Sequence, residues 1–277
     1  MIIDIFKIPI IGTFVEKILF SVVRLINKFT MALKVNNKNR NPINKLLFGF
    51  KYYFFILLSR FTRDNVYRNQ ILPYILKKDS NCIDIGAHVG RFLNMIIKLS
   101  PHGRHYAFEP ISYKARWLRW KYPKTQIFNI ALSNKKGNAN FSCYKGTYSG
   151  YSGFKKMIPF KCKTIKVRTG RLDDIIKKTT KIDFIKIDVE GSEFDVLKGS
   201  QKILRKSKPV IFFECTALDS IVYHRSPDTI YNFLTKRYKY KIYTPLSYMR
   251  KEKHLSAKQF REMIETRKET PNFIACA

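Results

Sequence analysis

From residue 80 onward, short apolar runs alternate with segments of helical spacing, and that alternation commits the chain to βαβ units around a mostly parallel sheet. Strands are expected at 81–85, 105–108, 126–130, 182–188 and 209–214, with helices at 89–99, 112–121 and 192–205. Between them lie a β excursion at 138–144, a flexible loop at 145–154, a short strand at 165–168 and a short helix at 172–178. The tail adds a helix at 228–236 and strands at 240–243 and 273–276. The fold class is therefore α/β, doubly wound and Rossmann-like.

The chain's 277 residues suit one α/β domain of about 200 residues with an added segment, or two small domains. We assign 76–277 to that domain and 1–75 to a basic, amphipathic helical extension, the last part of which reads as a helix at 62–79. In the extension, apolar stretches at 8–15 and 18–23 are split by Glu16 and Lys17, and the aromatic stretch 46–58 is broken by Lys51. None reaches the roughly 18 apolar residues that cross a bilayer, and no small-residue cleavage site follows, so neither a span nor a cleaved leader is expected. The polar segment 36–44 is a linker. Residues 1–60 fit two uses: a helical layer packed on the domain, or a peripheral contact with an anionic membrane.

Lys and Arg number 53 against 20 Asp and Glu, a net charge of +33. Such a charge attracts anionic partners. Abundant Lys, Asn, Ile, Phe and Tyr also match the codon usage of an AT-rich genome. No dedicated basic tail stands out; the densest stretch, from Lys34 to Lys45, is short. The cysteines, Cys82, Cys143, Cys162, Cys215 and Cys276, form no CxxC pair and sit near no histidine cluster. A zinc site is not expected, and free thiols in a reducing compartment are. The expected location is cytoplasmic, or peripheral at the inner face of a membrane.

The chemistry concentrates where strands end. Residues Cys82-Ile83-Asp84-Ile85-Gly86-Ala87-His88-Val89-Gly90 run from a buried strand through a glycine turn into a helix. Gly86 permits close backbone approach, Gly90 tight helix packing, and the helix N-terminus turns free N–H groups toward a ligand. Glu109 ends the next strand, 19 residues after Gly90, where a carboxylate accepts hydrogen bonds from a ribose diol. A dinucleotide site would require a glycine where His88 stands. Asp84, just upstream, suits a cationic amino-acid moiety better than a diphosphate. S-adenosyl-L-methionine, with an amino acid, a sulfonium, a ribose and no phosphate, fits these residues.

The chain resembles the FkbM family of S-adenosylmethionine-dependent methyltransferases. The resemblance is carried by Ile83 to Gly90, by Phe108-Glu109-Pro110, and by Asn129-Ile130-Ala131-Leu132-Ser133 with Gly137. Its most specific part is Lys186-Ile187-Asp188-Val189-Glu190-Gly191, within the stretch from Asp183 to Gly199, preceded by Leu172-Asp173-Asp174 and followed by Phe212-Phe213-Glu214. It spans about residues 80–215. It implies a class I, Rossmann-like methyltransferase, a mostly parallel seven-stranded sheet with helices on both faces and a last strand running antiparallel. It also implies O-methylation, often of a sugar hydroxyl in a glycan, polysaccharide or glycosylated metabolite.

These residues define candidates. For the cofactor they are Asp84, Gly86, Ala87, Gly90, Glu109 and Ala131, the last beside the adenine. For catalysis they are Asp188, Glu190 and Glu214, which converge at adjacent strand ends as base, acceptor-hydroxyl ligand or divalent metal site. Plainer roles exist for several. Glu190 would cap the following helix, Glu214 would bind loop N–H groups, Lys186 would pair with a carboxylate, and Ala131 would pack at a strand end. The loop 146–153, with Tyr148 and Tyr151, closes over the acceptor or forms a surface hairpin. A nucleic-acid methyltransferase would exploit the charge. Against it, the Asn/Asp-Pro-Pro-aromatic turn is replaced by Asp188-Val189-Glu190-Gly191, and an acidic pair repels phosphates. A membrane-binding module on a degenerate domain is opposed by the intact glycines and Glu109.

Overall fold

The computed structural model describes residues 70–177, 179–266 and 272–277. Most of the expected extension, with its linker and its two possible uses, lies outside the described residues. Of the helix expected at 62–79, residues 70–79 are described: the helix there is Leu72–Ile75, with Ile71 and Leu72 buried, and it stops at the extended Leu76 instead of reaching 79.

The strands are β1 (Cys82–Ile85), β2 (His105–Phe108), β3 (Gln126–Phe128), β4 (Ala131–Leu132), β5 (Gly137–Cys143), β6 (Lys163–Gly170), β7 (Phe184–Ile187), β8 (Val210–Glu214), β9 (Lys241–Tyr243) and β10 (Asn272–Cys276). Seven of them form one sheet in the order β3-β2-β1-β7-β8-β10-β9. From β3 to β8 every pairing is parallel, and β10 runs antiparallel to both β8 and β9. Helices flank this sheet, which is the Rossmann-like architecture expected, with the antiparallel final strand in its place. Chain order reverses between β1 and β7. That is the topological switch point, where a parallel sheet opens a crevice beyond its strand ends.

The central strands are apolar because both faces are covered. Every residue of β1, β2 and β7 is buried. Two charges interrupt this rule. Asp84 on β1 and Lys186 on β7 are register partners across the switch point.

A second sheet, ordered β4-β6-β5, was only half legible in the sequence. The excursion and the following strand form as expected, but their pairing with Ala131–Leu132 was not anticipated. The loop between β5 and β6 contains a 3-10 turn, Gly146–Tyr151, where a flexible loop was expected.

The helix expected at 192–205 is two helices, Glu193–Lys198 and Gln201–Ser207. Gly199 breaks it: a Cβ there would collide with the Ser133 carbonyl, and the Gly199 carbonyl accepts the Asp173 N–H at 3.0 Å. The second helix starts under a borrowed cap. The Asp173 carboxylate accepts the N–H groups of Lys202 at 2.9 Å and Ile203 at 3.1 Å. This gives the Leu172-Asp173-Asp174 element a structural purpose, capping a helix from another segment. Asp173→Ala is expected to lower stability by about 1–2 kcal/mol, since it orphans two N–H groups at a buried helix start. Urea unfolding measures the loss, and a change below about 0.3 kcal/mol would remove the capping role.

Three helices add to those expected from the sequence: Ala217–Tyr223, Pro245–Met249 and Ala257–Thr266. The helix expected at 228–236 is Pro227–Asn232 continued by a π-helical turn, Phe233–Arg237. Among the described residues, no helix is long and apolar enough to cross a membrane.

Candidate active site

At the end of β1 the chain turns through Gly86, whose φ is 76°. A Cβ on Gly86 would strike the Asp188 carbonyl, so the close approach that needs glycine is to the backbone leaving β7. The N–H groups of Gly86 and Ala87 both donate to the Phe108 carbonyl, at 3.0 and 3.1 Å, which ties the turn to the end of β2. Gly90 opens the helix Arg91–Leu99, and its carbonyl accepts the Tyr122 hydroxyl at 3.0 Å.

Glu109 closes this arrangement. One of its oxygens accepts the His88 N–H and the other the Ile111 N–H, each at 2.9 Å. Asn129 fixes the backbone below it by donating to the Glu109 and Pro110 carbonyls at 3.0 and 2.8 Å. Gly86, Ala87, Gly90 and Glu109 therefore share one turn region. Glu109 is buried, which raises its pKa; the nearby Lys114 and the two N–H donors offset part of the rise.

The loop 146–153 reaches this region through contacts of its own. Ser149, from the 3-10 turn, meets His88 Nε2 with its hydroxyl at 2.9 Å, and its carbonyl accepts Lys114 Nζ at 3.2 Å. Ser152 donates to the same carbonyl at 2.9 Å. No spacing in the sequence marks these contacts, because they join three segments far apart in the chain.

Asp84 and Ala131 are placed differently from the other cofactor candidates. Asp84 is fully buried, with Lys186 Nζ at 3.3 Å. Burial raises its pKa, and Lys186 counters only part of that. Ala131 packs in the core of the small sheet with Ile111, Phe141, Cys143 and Val167.

Beyond β7 and β8 stand the carboxylates. Asp188, Glu190 and Glu214 each offer an oxygen within 4.8 Å of the others. Lys186 Nζ contacts Asp188 at 3.3 Å and donates to the Gly86 carbonyl at 3.0 Å. The pairing role considered for Lys186 thus holds, with two carboxylates at once. Burial opposes its charge, but Asp188 and Asp84 outweigh it and raise its pKa. Glu190 sits at φ 57° and does not cap the next helix. Burial and the charges of Asp188 and Glu214 raise its pKa well above the usual carboxylate range.

The turn that carries Glu190 is held by Glu193, the first residue of the next helix. Glu193 accepts the Val189 N–H at 2.9 Å and the Gly191 N–H at 3.3 Å, shaping the acidic turn from behind. Burial, with Asp219 nearby, pushes its pKa up to about 8. The signal was present in Glu190-Gly191-Ser192-Glu193: an acid two residues past a glycine can fold back onto the turn's N–H groups.

The geometry joins a glycine turn and a buried strand-end carboxylate to an acidic cluster with one buried lysine. Such a site favours a cationic ligand and repels phosphates. It provides a carboxylate able to take a proton beside the crevice.

Residues 84–242 match the Methyltransferase FkbM domain. The 2-O-methyltransferase NoeI of Sinorhizobium fredii is 26% identical, over 50% of this chain and 65% of that protein. The AMB antimetabolite synthetase AmbE of Pseudomonas aeruginosa is 28% identical, over 45% of this chain and 8% of that protein. The chain thus spans less than two thirds of either curated relative. Among solved structures, Methyltransferase FkbM from Methylobacillus flagellatus KT is 18% identical, with a TM-score of 0.46, covering 73% of this chain and 44% of that one.

Proposed function

This chain belongs to the FkbM methyltransferase family, and from that premise we propose that it moves a methyl group from S-adenosyl-L-methionine to a hydroxyl oxygen of a glycan, a cell-surface polysaccharide or a glycosylated metabolite. One observation carries the reading: the Gly86–Gly90 turn with Glu109 lies beside the carboxylates of Asp188, Glu190 and Glu214 across the switch point. When bound, the cofactor supplies a methyl group on a positively charged sulfur, a centre that an acidic, phosphate-repelling crevice suits.

The residues divide the work. Glu109 accepts the ribose hydroxyls with the lone pairs left by its two backbone donors, and Gly86, Ala87 and Gly90 let the donor lie against the turn. Asp84 acts through Lys186, and Ala131 holds the small sheet against the adenine side. Asp188 takes the acceptor's proton as the new C–O bond forms and the old C–S bond breaks. Glu190 and Glu214 orient the acceptor hydroxyl; alignment of this kind is worth several kcal/mol. Support for an oxygen acceptor comes from the name of the S. fredii relative, a 2-O-methyltransferase.

The surface charge and residues 1–60 suggest a second contact, with an anionic membrane, which would bring the enzyme near envelope glycans. Incubation with methyl-labelled cofactor and cell-envelope glycan fractions, followed by mass analysis, tests the acceptor. Label in glycan supports the reading; label confined to RNA would replace it with nucleic-acid methylation.

Glu109→Ala is expected to weaken S-adenosylhomocysteine binding by about tenfold or more, the scale of lost hydrogen bonds to a charged group. Calorimetry measures it. Affinity equal to wild type would remove Glu109 from the ribose site.

A further inference from the structure

The helix Ser112–Lys121 buries one side and exposes the other. Lys114, Ala115 and Leu118 face inward. Outward stand Tyr113, Trp117 and Trp120, with relative exposures of 51%, 44% and 73%. The two tryptophans are the only ones in the chain. Soluble proteins seldom leave such rings in one exposed row without use.

At about 100° per residue the three rings fall within about 60° of one another on the helix surface. Arg116 lies about 60° to one side of Tyr113 and Lys121 about 80° to the other. Lys121 Nζ also lies 5.7 Å from the Trp117 ring centre. Lys124 follows just past the helix end, and residues 110–126 contain no Asp or Glu. The face is thus an aromatic ridge between two cationic flanks.

We propose that this face is a docking surface for an anionic lipid bilayer. Aromatic rings with one polar edge settle at the headgroup boundary, and flanking Lys and Arg reach lipid phosphates. The ridge is convex, as a helix resting on a flat surface requires. Single-stranded nucleic acid binds instead by stacking bases on ring faces along a groove. Here Trp117 and Trp120 pack on each other, 4.9 Å between ring centres, which occupies part of those faces. Docking here holds the Glu109 end of the helix beside the membrane.

The two tryptophans make the test specific, because their emission reports this face alone. The full chain is mixed with phosphatidylcholine vesicles, with or without phosphatidylglycerol. Anionic vesicles are expected to shift the emission to the blue and protect it from acrylamide; neutral vesicles leave it unchanged, and raised salt reverses the shift. Arg116→Glu with Lys121→Glu keeps both reporters and is expected to weaken partitioning measured by this signal by about tenfold or more. An unchanged melting temperature and S-adenosylhomocysteine affinity in that variant show that its fold is intact. Emission that does not move with anionic vesicles overturns the proposal, even if the protein floats with them through another segment. A shift with single-stranded RNA and none with vesicles reassigns the face to nucleic acid.

Discussion

Asp188→Asn is expected to lower turnover at least about 100-fold while S-adenosylhomocysteine binding stays at the wild-type level. The substitution keeps size and shape but removes the ability to take a proton. Cofactor affinity is expected to survive because the ribose and turn contacts we propose involve Glu109 and Gly86, which are tied together at the ends of β1 and β2. Only the β7 strand end is altered. Lys186 keeps its bond to the Gly86 carbonyl and its contact with Asp84, so the strand pairing is retained. Single-turnover measurements with bound cofactor separate the chemical step from binding. A variant with wild-type turnover would rule out Asp188 as the base. Chelation distinguishes the other use of the cluster. Activity that survives EDTA leaves Asp188 as the proton acceptor; activity lost and restored by magnesium makes Asp188, Glu190 and Glu214 ligands to a cation.

The parts legible in the sequence were those with local causes. β1, β2, β7 and β8 announced themselves as apolar runs, because a strand buried on both faces has no polar side to display. The Gly86–Gly90 turn and Glu109 were legible because their separation in the chain is set by one βαβ unit. What stayed hidden depends on contacts between distant segments. Ser149 meets His88 and Lys114 only once the β5–β6 hairpin folds back over the crevice. Asp173 caps a helix that starts 28 residues later in the chain, at Gln201, so no local cap pattern marks it. One omission had a local signal. The helix Ala217–Tyr223 opens with Thr216 and Asp219 in a reciprocal capping box, a spacing visible in the sequence alone.

Lys186→Met is expected to cost about 3–5 kcal/mol of stability, the larger structural effect among these substitutions. Strand register puts Lys186 directly opposite Asp84, and both side chains are buried. Both Asp84 oxygens are buried, and the Lys186 ammonium at 3.3 Å is the main group that compensates their charge. Remove it and a desolvated carboxylate remains in the centre of the sheet, with Asp188 deprived of the same partner. The sign of the pH dependence follows. Burial already raises the Asp84 pKa above its ordinary value, and losing Lys186 raises it further. The folded variant then holds a proton that the unfolded chain releases. Its stability falls as pH rises from the ordinary carboxylate value toward the raised one, and acidification from neutral recovers part of the loss. Asp84→Asn combined with Lys186→Met removes both charges, and the pair is expected to lose less than the sum of the single losses. Urea unfolding of the four proteins at two pH values measures the coupling. Losses that simply add would mean that Asp84 and Lys186 do not depend on each other, and that something else holds the two charged strands at the switch point.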